Sequence, residues 1–270
     1  MKDRLHWSFG DGNTLRELIF PQGFSAEQST LPRGSFDPAG EWENAYDFVY
    51  TRAGNPKQPA HVYYGSLRLR MTRNDGKAHL QAIAKRQTRQ HFDFERMTVR
   101  ATFTCTDEPL LPLSEGTPWT LETELVNQRD PATGDYAEFR EEGRLNGENV
   151  EKKDDRGEWY RYRQCTAGLP LVSDWALMAA VQTLPRDCTT RFDLLRQLES
   201  FYPEQRVRYL ESFDARFGDR EVALHGFVHT GQGTVPSFYW VDHTGRLLIV
   251  RTALGAFVYN PSPYLESVAS

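Results

Sequence analysis

Apolar and polar residues alternate with period two along most of this chain, and that rhythm predicts strands. In residues 64–71, Leu67, Leu69 and Met71 alternate with Ser66, Arg68 and Arg70. Asn74-Asp75-Gly76 then supplies a hairpin turn, because these residues tolerate the positive φ of a tight connection. Leu80, Ala82 and Ala84 carry the apolar face back. The same pattern predicts a long, bent strand over 92–105, closed by the prolines of 107–112, since proline donates nothing to a ladder. It also predicts a hairpin of 120–127 with 136–145 across the turn at 130–134. Asn146-Gly147 should turn into a charged strand, and Trp159–Gln164 should form another. Towards the C-terminus, 206–217 and 221–229 alternate. Residues 237–259 give two further strands, in which Phe238-Tyr-Trp-Val and Leu247-Leu-Ile-Val flank the turn Asp242-His243-Thr244-Gly245.

One segment changes period. Between 174 and 184, Trp175, Leu177, Met178, Val181 and Leu184 form an apolar stripe at helical spacing. Ser173 is placed to cap it, Asp174 favours the first turn, and Pro185 follows the end. Residues 192–201 are ambiguous: Leu194, Leu195 and Leu198 suit a short amphipathic helix capped by Asp193 and closed by Pro203. Residues 1–60 carry Pro21, Pro32, Pro38, Pro56 and Pro59, which predicts an irregular segment with short strands, notably Trp42–Thr51, packed on a main domain of 61–270. Strands and helices do not alternate, which argues against a parallel doubly wound fold. The fold class expected is mainly β: a large curled antiparallel sheet, a half-barrel, with one or two helices packed on it.

A chain of 270 residues can bury a sizeable core without covalent staples. Aromatic content of 13% suits strands and binding surfaces. The 32 basic and 37 acidic residues give a net charge of −5 and are well mixed, so no strong field points to nucleic acid. The basic run Lys85, Arg86, Arg89, Arg96 and Arg100 is interleaved with acidic and apolar residues, as a solvated strand face would be. Cys105, Cys165 and Cys188 form no Cys-x-x-Cys pair and suit half-buried thiols in a reducing compartment. No apolar run reaches the ~20 residues of a membrane-spanning helix. The N-terminus lacks a signal peptide's apolar region, so the expected location is cytoplasmic, or periplasmic if a leader has been removed.

The order of these elements resembles the curled-sheet architecture of periplasmic lipoprotein carriers and related uncharacterised bacterial families. It comprises a long antiparallel meander, one helix after about two-thirds of the strands, and a final aromatic hairpin containing Trp240-Val-Asp-His-Thr-Gly-Arg-Leu-Leu248. The likeness covers about 61–260 and rests on element order. It implies a single-domain binding protein whose helix plugs the concave side of the sheet and whose ligand is a lipid or another apolar or amphipathic molecule. No functional residues carry over from it, and a leader like that of exported members is not expected from the N-terminal residues.

Familiar catalytic signatures are missing. The sequence contains no Gly-x-Ser-x-Gly, no His-Glu-x-x-His and no Gly-x-x-x-x-Gly-Lys, and Gly231-Gln232-Gly233 reads as a turn. His225, His229 and His243, beside Asp242, are the best metal-like constellation. On a strand, however, His225 and His229 would lie ~13 Å apart, too far to share an ion, though on one face. Glu122 with Glu124, and Asp93 with Glu95, could pair as catalytic acids at ~6–7 Å, but alternating acids beside Arg96 and Arg100 also suit a solvated face. Asp154-Asp155 belongs to a polar turn. Trp159, Tyr160 and Tyr162, like Phe238, Tyr239 and Trp240, put rings on both faces of a strand. The ligand-contacting candidates are Trp240, Phe238, Trp175, Met178, His225 and His229, with no catalytic residue, metal or cofactor implied. The leading expectation is therefore a non-enzymatic binding protein. Its rivals are a hydrolase acting on a carbohydrate or ester in the same concavity, and a structural or assembly module.

Overall fold

The computed structural model describes residues 35–51, 61–87, 96–126, 136–217, 220–252 and 255–260. The first eight strands are β1 (Trp42–Thr51), β2 (His61–Asn74), β3 (Lys77–Gln87), β4 (Arg96–Thr106), β5 (Trp119–Val126), β6 (Tyr136–Asn146), β7 (Asn149–Lys153) and β8 (Trp159–Gln164). After β9 (Leu171–Ser173) and the helix α1 (Asp174–Ala180) come β10 (Thr189–Arg196), β11 (Ser200–Phe217), β12 (Arg220–Gly231), β13 (Ser237–Val241), β14 (Leu247–Arg251) and β15 (Gly255–Tyr259). They make one sheet in the order β8-β7-β6-β5-β4-β3-β2-β1-β15-β14-β13-β12-β11-β10-β9. The chain meanders from β1 out to one end, crosses to β9 at the other, and returns to β15, which pairs with β1 and sets Tyr46 opposite Tyr259.

Fifteen strands exceed the ~10 that an open twisted sheet ordinarily carries without curling, and this sheet curls around α1. Its inner face supplies Leu67, Leu69 and Met71 from β2, Leu80 from β3 and Phe103 from β4. Phe192, Phe227, Tyr239 and Leu247 meet them from the far half, with Trp175, Leu177 and Met178 of α1 between. The helix is buried on every side, including Ala176, Ala179 and Ala180, as a helix enclosed by other elements must be. Its N-cap is Ser173, whose Oγ accepts from the Ala176 amide at 2.9 Å.

Much of the expected strand pattern is present. Trp42–Thr51 and Trp159–Gln164 are strands with those bounds. The β2–β3 turn has Asp75 and Gly76 both at positive φ, 51° and 69°, the arrangement that follows the twist of a hairpin. β13 and β14 form the expected aromatic hairpin, closed by the Asp242 amide on the Arg246 carbonyl at 2.9 Å. β1 lies between β2 and β15, in one sheet with the other described strands. Residues 1–34, 92–95 and 127–135 lie outside the described residues.

Five expectations change. The helical alternative for 192–201 gives way to β10 and the start of β11, because Phe192, Leu194 and Leu195 are buried between β9 and β11 and tertiary pairing overrides local propensity. Pro203 does not end a segment: it sits in β11 opposite a register shift between Phe192 and Leu194, where a missing N–H is tolerated. The C-terminal stretch yields a third strand, β15. Among the described strands one pair, β9 with β10, is parallel, and α1 lies in its crossover. The helix is also shorter than its apolar stripe. After Ala180 the chain tightens into turns, with the Gln182 and Thr183 amides donating three residues back.

The two ends of the sheet are tied together through residues 165–170, which join β8 to β9. Asp193, on β10, holds this connection: its Oδ2 accepts from the Thr166 amide at 2.5 Å and its Oδ1 from the Thr166 hydroxyl at 3.0 Å. The same Oδ1 accepts from the Glu204 amide of β11 at 2.8 Å. Glu204 stands at φ 49°, a left-handed geometry uncommon for a side-chain-bearing residue. The β4–β5 connection joins the seam where the Leu113 amide donates to the Leu171 carbonyl at 2.8 Å.

Candidate functional site

The concave face of the sheet is occupied by α1. Trp175 stacks on Phe103 with ring centroids 6.3 Å apart, and Met178 is buried beside it in the same core. Below the helix, Gln182 Oε1 accepts from Asn44 Nδ2 and from the Leu247 amide, each at 3.2 Å, joining α1 to β1 and β14. At the helix start, Asp174 Oδ1 accepts from the Gln197 amide at 2.8 Å. Burial raises its carboxyl to about 6, against the opposing pull of that hydrogen bond and of Arg196.

His229 faces the same interior. Its ring lies 5.5 Å from that of Phe192, and its Nε2 meets Gln205 Oε1 at 3.0 Å. Gln205 is itself buried and satisfied: its Nε2 donates to the carbonyls of Pro203 and Gln232, and its Oε1 also accepts from the Thr234 hydroxyl. The knot fixes the 231–234 turn. Burial, with Arg196 adding to it, pushes the His229 imidazole down to about 4, so the ring is neutral at pH 7. His225, two residues beyond Phe227 on the same face of β12, is buried with no partner on Nδ1. Desolvation and then Arg186 lower its pKa.

The remaining ligand-contacting candidates lie on the other side. Trp240 and Phe238 alternate with Tyr239, which belongs to the interior, so they point away from α1. Trp240 packs edge-on against Phe213 at 4.8 Å in a second apolar cluster with Leu224, Leu248 and Ile249. Its ring lies over Gly226. The six candidates therefore divide between two faces, with Trp175, Met178, His225 and His229 inside and Trp240 and Phe238 outside.

The acidic pairs are structural in their contacts. Glu124 meets Arg100 at 3.3 Å and Glu122 meets Arg140 at 3.6 Å, a cross-strand ladder on a solvated face. Asp93 and Glu95 lie outside the described residues. Asp154 caps its own turn, accepting from the amides of Arg156 and Glu158. Asp242 is engaged likewise by Thr244 and Arg246. Among the described residues, no group of three or more His, Cys, Asp or Glu side chains is placed to hold a metal ion. The three cysteines are free thiols, and burial raises the pKa of each. No helix among the described residues is long and apolar enough to cross a membrane.

An open depression lies elsewhere, on the outer face of β2, β3 and β4. It has a volume of about 340 Å³ and is lined by Arg70, Thr72, His79, Gln81, Thr102 and Thr104, with Pro118 at the rim. Strict alternation makes it. Where Leu69, Met71, Leu80 and Phe103 turn inward to the core, their neighbours turn out, and the register sets Arg70 beside Gln81 and Thr102, and Thr72 beside His79 and Thr104. His79 Nδ1 meets Thr104 Oγ1 at 3.1 Å, and Thr102 Oγ1 meets Thr120 Oγ1 at 2.6 Å. Sequence reasoning passed over this surface because its residues are ordinary for a solvated strand face. Only the register shows that they converge.

No protein-family model matches this sequence, and no curated protein matches it. Among solved structures, the chain is similar to a beta-barrel-like protein of domain of unknown function DUF1849 from Brucella abortus, at a TM-score of 0.45 and 7% identity. The match covers 84% of this chain and 98% of that one.

Proposed function

We propose that this protein is a non-catalytic binding module whose ligand seat is the outer depression on β2, β3 and β4. The observation that carries the reading is a contrast of surfaces. The inner face is filled by a helix buried on all sides, while the outer face of β2–β4 holds a cavity in the lower part of the size range of small-molecule sites. An apolar or amphipathic ligand on the concave face, as the element order suggested, would have to share that volume with Trp175, Leu177 and Met178. The polar depression needs no such rearrangement. The test is native mass spectrometry of the protein purified from its own host, followed by hydrogen exchange with and without the retained molecule. A retained small molecule that protects 70–81 and 102–104 supports the reading. Protection confined to 174–184 and β12 overturns it in favour of the concave face, and a mass with no retained molecule overturns it as well.

A further inference from the structure

The outer depression also carries a ligand chemistry, an inference that rests on its being the seat of a binding module. The outer face of β1–β5 bears several arginines, and most are neutralised. Arg68 Nη1 meets Glu43 Oε1 at 2.8 Å, and Arg100 meets Glu124 at 3.3 Å. Arg70 differs. Its cross-strand neighbour Glu43 is taken by Arg68, and among the described residues Arg70 has no hydrogen-bond or ion-pair partner. A single unpaired guanidinium at a cavity wall presents a planar fork matched to one carboxylate.

The rest of the lining narrows the choice. Thr72, Thr102, Thr104, Gln81 and His79 offer both donors and acceptors, as a set of ligand hydroxyls requires. A bare phosphate, which keeps only one or two O–H donors at neutral pH, would leave most of the acceptors on this wall unmatched. Apolar ligands are excluded by the same wall: Leu80 and Phe103 contribute little beyond backbone, their side chains being turned into the core, and Pro118 alone is apolar and exposed. The polar grid, three strands wide and two outward residues long, measures roughly 10 Å by 7 Å from strand spacing and rise, which is about the footprint of one substituted six-membered ring. We propose that the depression binds a hydroxylated monocarboxylate of sugar-acid type. Arg70 clamps its carboxylate, and Thr72, His79, Gln81 and the threonines of β4 read its hydroxyls.

Calorimetric titration and ¹H–¹⁵N NMR of the full chain with D-glucuronate, D-glucose and inorganic phosphate test this. Glucuronate is expected to bind and to shift resonances of β2, β3 and β4. Glucose, lacking the charge, is expected to bind at least about tenfold more weakly, the worth of one charge-assisted contact. Arg70→Gln, an exposed and unpaired position, should fold normally and lose about tenfold for glucuronate while leaving glucose unchanged. Equal binding of glucose and glucuronate overturns the carboxylate clamp, as does an Arg70→Gln variant that binds glucuronate unaltered. Phosphate binding as well as glucuronate reduces the site to a simple oxyanion hook and overturns the sugar-acid class. Should none of the three bind while a retained native ligand still protects 70–81, the chemistry assigned here fails and the binding seat stands.

Discussion

The stretch from β2 to β6 and the stretch from β10 to β14 are built from the same antiparallel pairing and are held in different ways. From β2 to β6 every register is unbroken. One face supplies the core, while the other carries threonines, arginines and glutamates in cross-strand pairs. From β10 to β14 the ladder shifts at Phe192/Leu194, at Tyr209/Glu211 and at Trp240/Val241. Both faces there bury apolar side chains, Phe227 and Tyr239 on one and Leu224 and Trp240 on the other. Alternation alone suffices in the first region, and its outer face is left to threonines and charged side chains. The second spends its outer face on packing and pins its irregular backbone with buried polar side chains, Asp193 and Gln205 on their strands and Gln182 beneath them.

The strongest test of that difference is Asp193. Replacing it with alanine removes the acceptor of two backbone amides and one hydroxyl across the seam, and each orphaned, part-buried donor costs towards the lower end of about 1–3 kcal/mol. A loss of about 3–5 kcal/mol is expected, read from urea unfolding midpoints at constant slope. Arg100→Ala, which breaks an exposed ion pair in the regular region, should cost under about 1 kcal/mol. If the two variants prove equally mild, the seam does not depend on its carboxylate and the contrast fails.

The buried ionisable groups of the second region give the next effect, and its sign is specific. Burial raises the Asp174 carboxyl from 3.8 to about 6, so the folded chain keeps a proton that the unfolded chain has lost. Stability therefore falls as pH rises from about 4 to 6, by about 3 kcal/mol, and stays lower above that. His229 does the opposite. Burial and the charge of Arg196 lower it from 6.5 to about 4, so the unfolded chain protonates first as pH drops. Its contribution is complete above pH 6.5 and is lost towards pH 4, again by about 3 kcal/mol. Arg196 acts on both groups, and Tyr239 faces Asp174. Within one window the two slopes oppose, and the pair contributes little net pH dependence. Asp174→Asn should leave stability climbing between about pH 4 and 6.5. His229→Gln should leave it falling. Midpoints measured across that range decide the matter, and a flat profile in both variants removes these groups as opposing terms.

The same contrast explains what the sequence could tell. Leu67, Leu69, Met71, Leu80 and Ala82 announce their strands because nothing interrupts the period of two, and Asn74-Asp75-Gly76 announces its turn. Trp159–Gln164 and the Ser173 cap are local signals of the same kind. β10 was harder, since Leu194, Leu195 and Leu198 satisfy helical spacing too, and its strand identity comes from β9 and β11, distant in sequence. Asp193 looks like a cap locally and acts as a staple only once Thr166 and Glu204 reach it. The proposed outer seat is not legible in the sequence for the same reason. Aromatic and histidine residues drew attention to 225–240, where they fill two cores, whereas the convergence of Arg70, His79 and Thr104 exists only in the register of three strands.

Two glycines sharpen the comparison at its finest scale, because each region lays an indole over one. A Cβ on Gly143 of β6 would stand 2.3 Å from Trp119 Cζ2, on the inner core; a Cβ on Gly226 of β12 would stand 2.3 Å from Trp240 Cζ3, on the outer cluster. Gly→Ala ordinarily stabilises by ~0.4–1 kcal/mol through the unfolded chain, and overpacking costs ~1–3 kcal/mol, so each variant should come out destabilised by about 1–2 kcal/mol. If the outer cluster is as tightly packed as the inner one, Gly226→Ala and Gly143→Ala should shift the urea midpoint alike. A silent Gly226→Ala beside a damaging Gly143→Ala would mean that Trp240 can swing aside. The outer face of β12–β14 would then be a loose apolar skin and not a second core, and the distinction between a half held by one buried face and a half held by two would collapse.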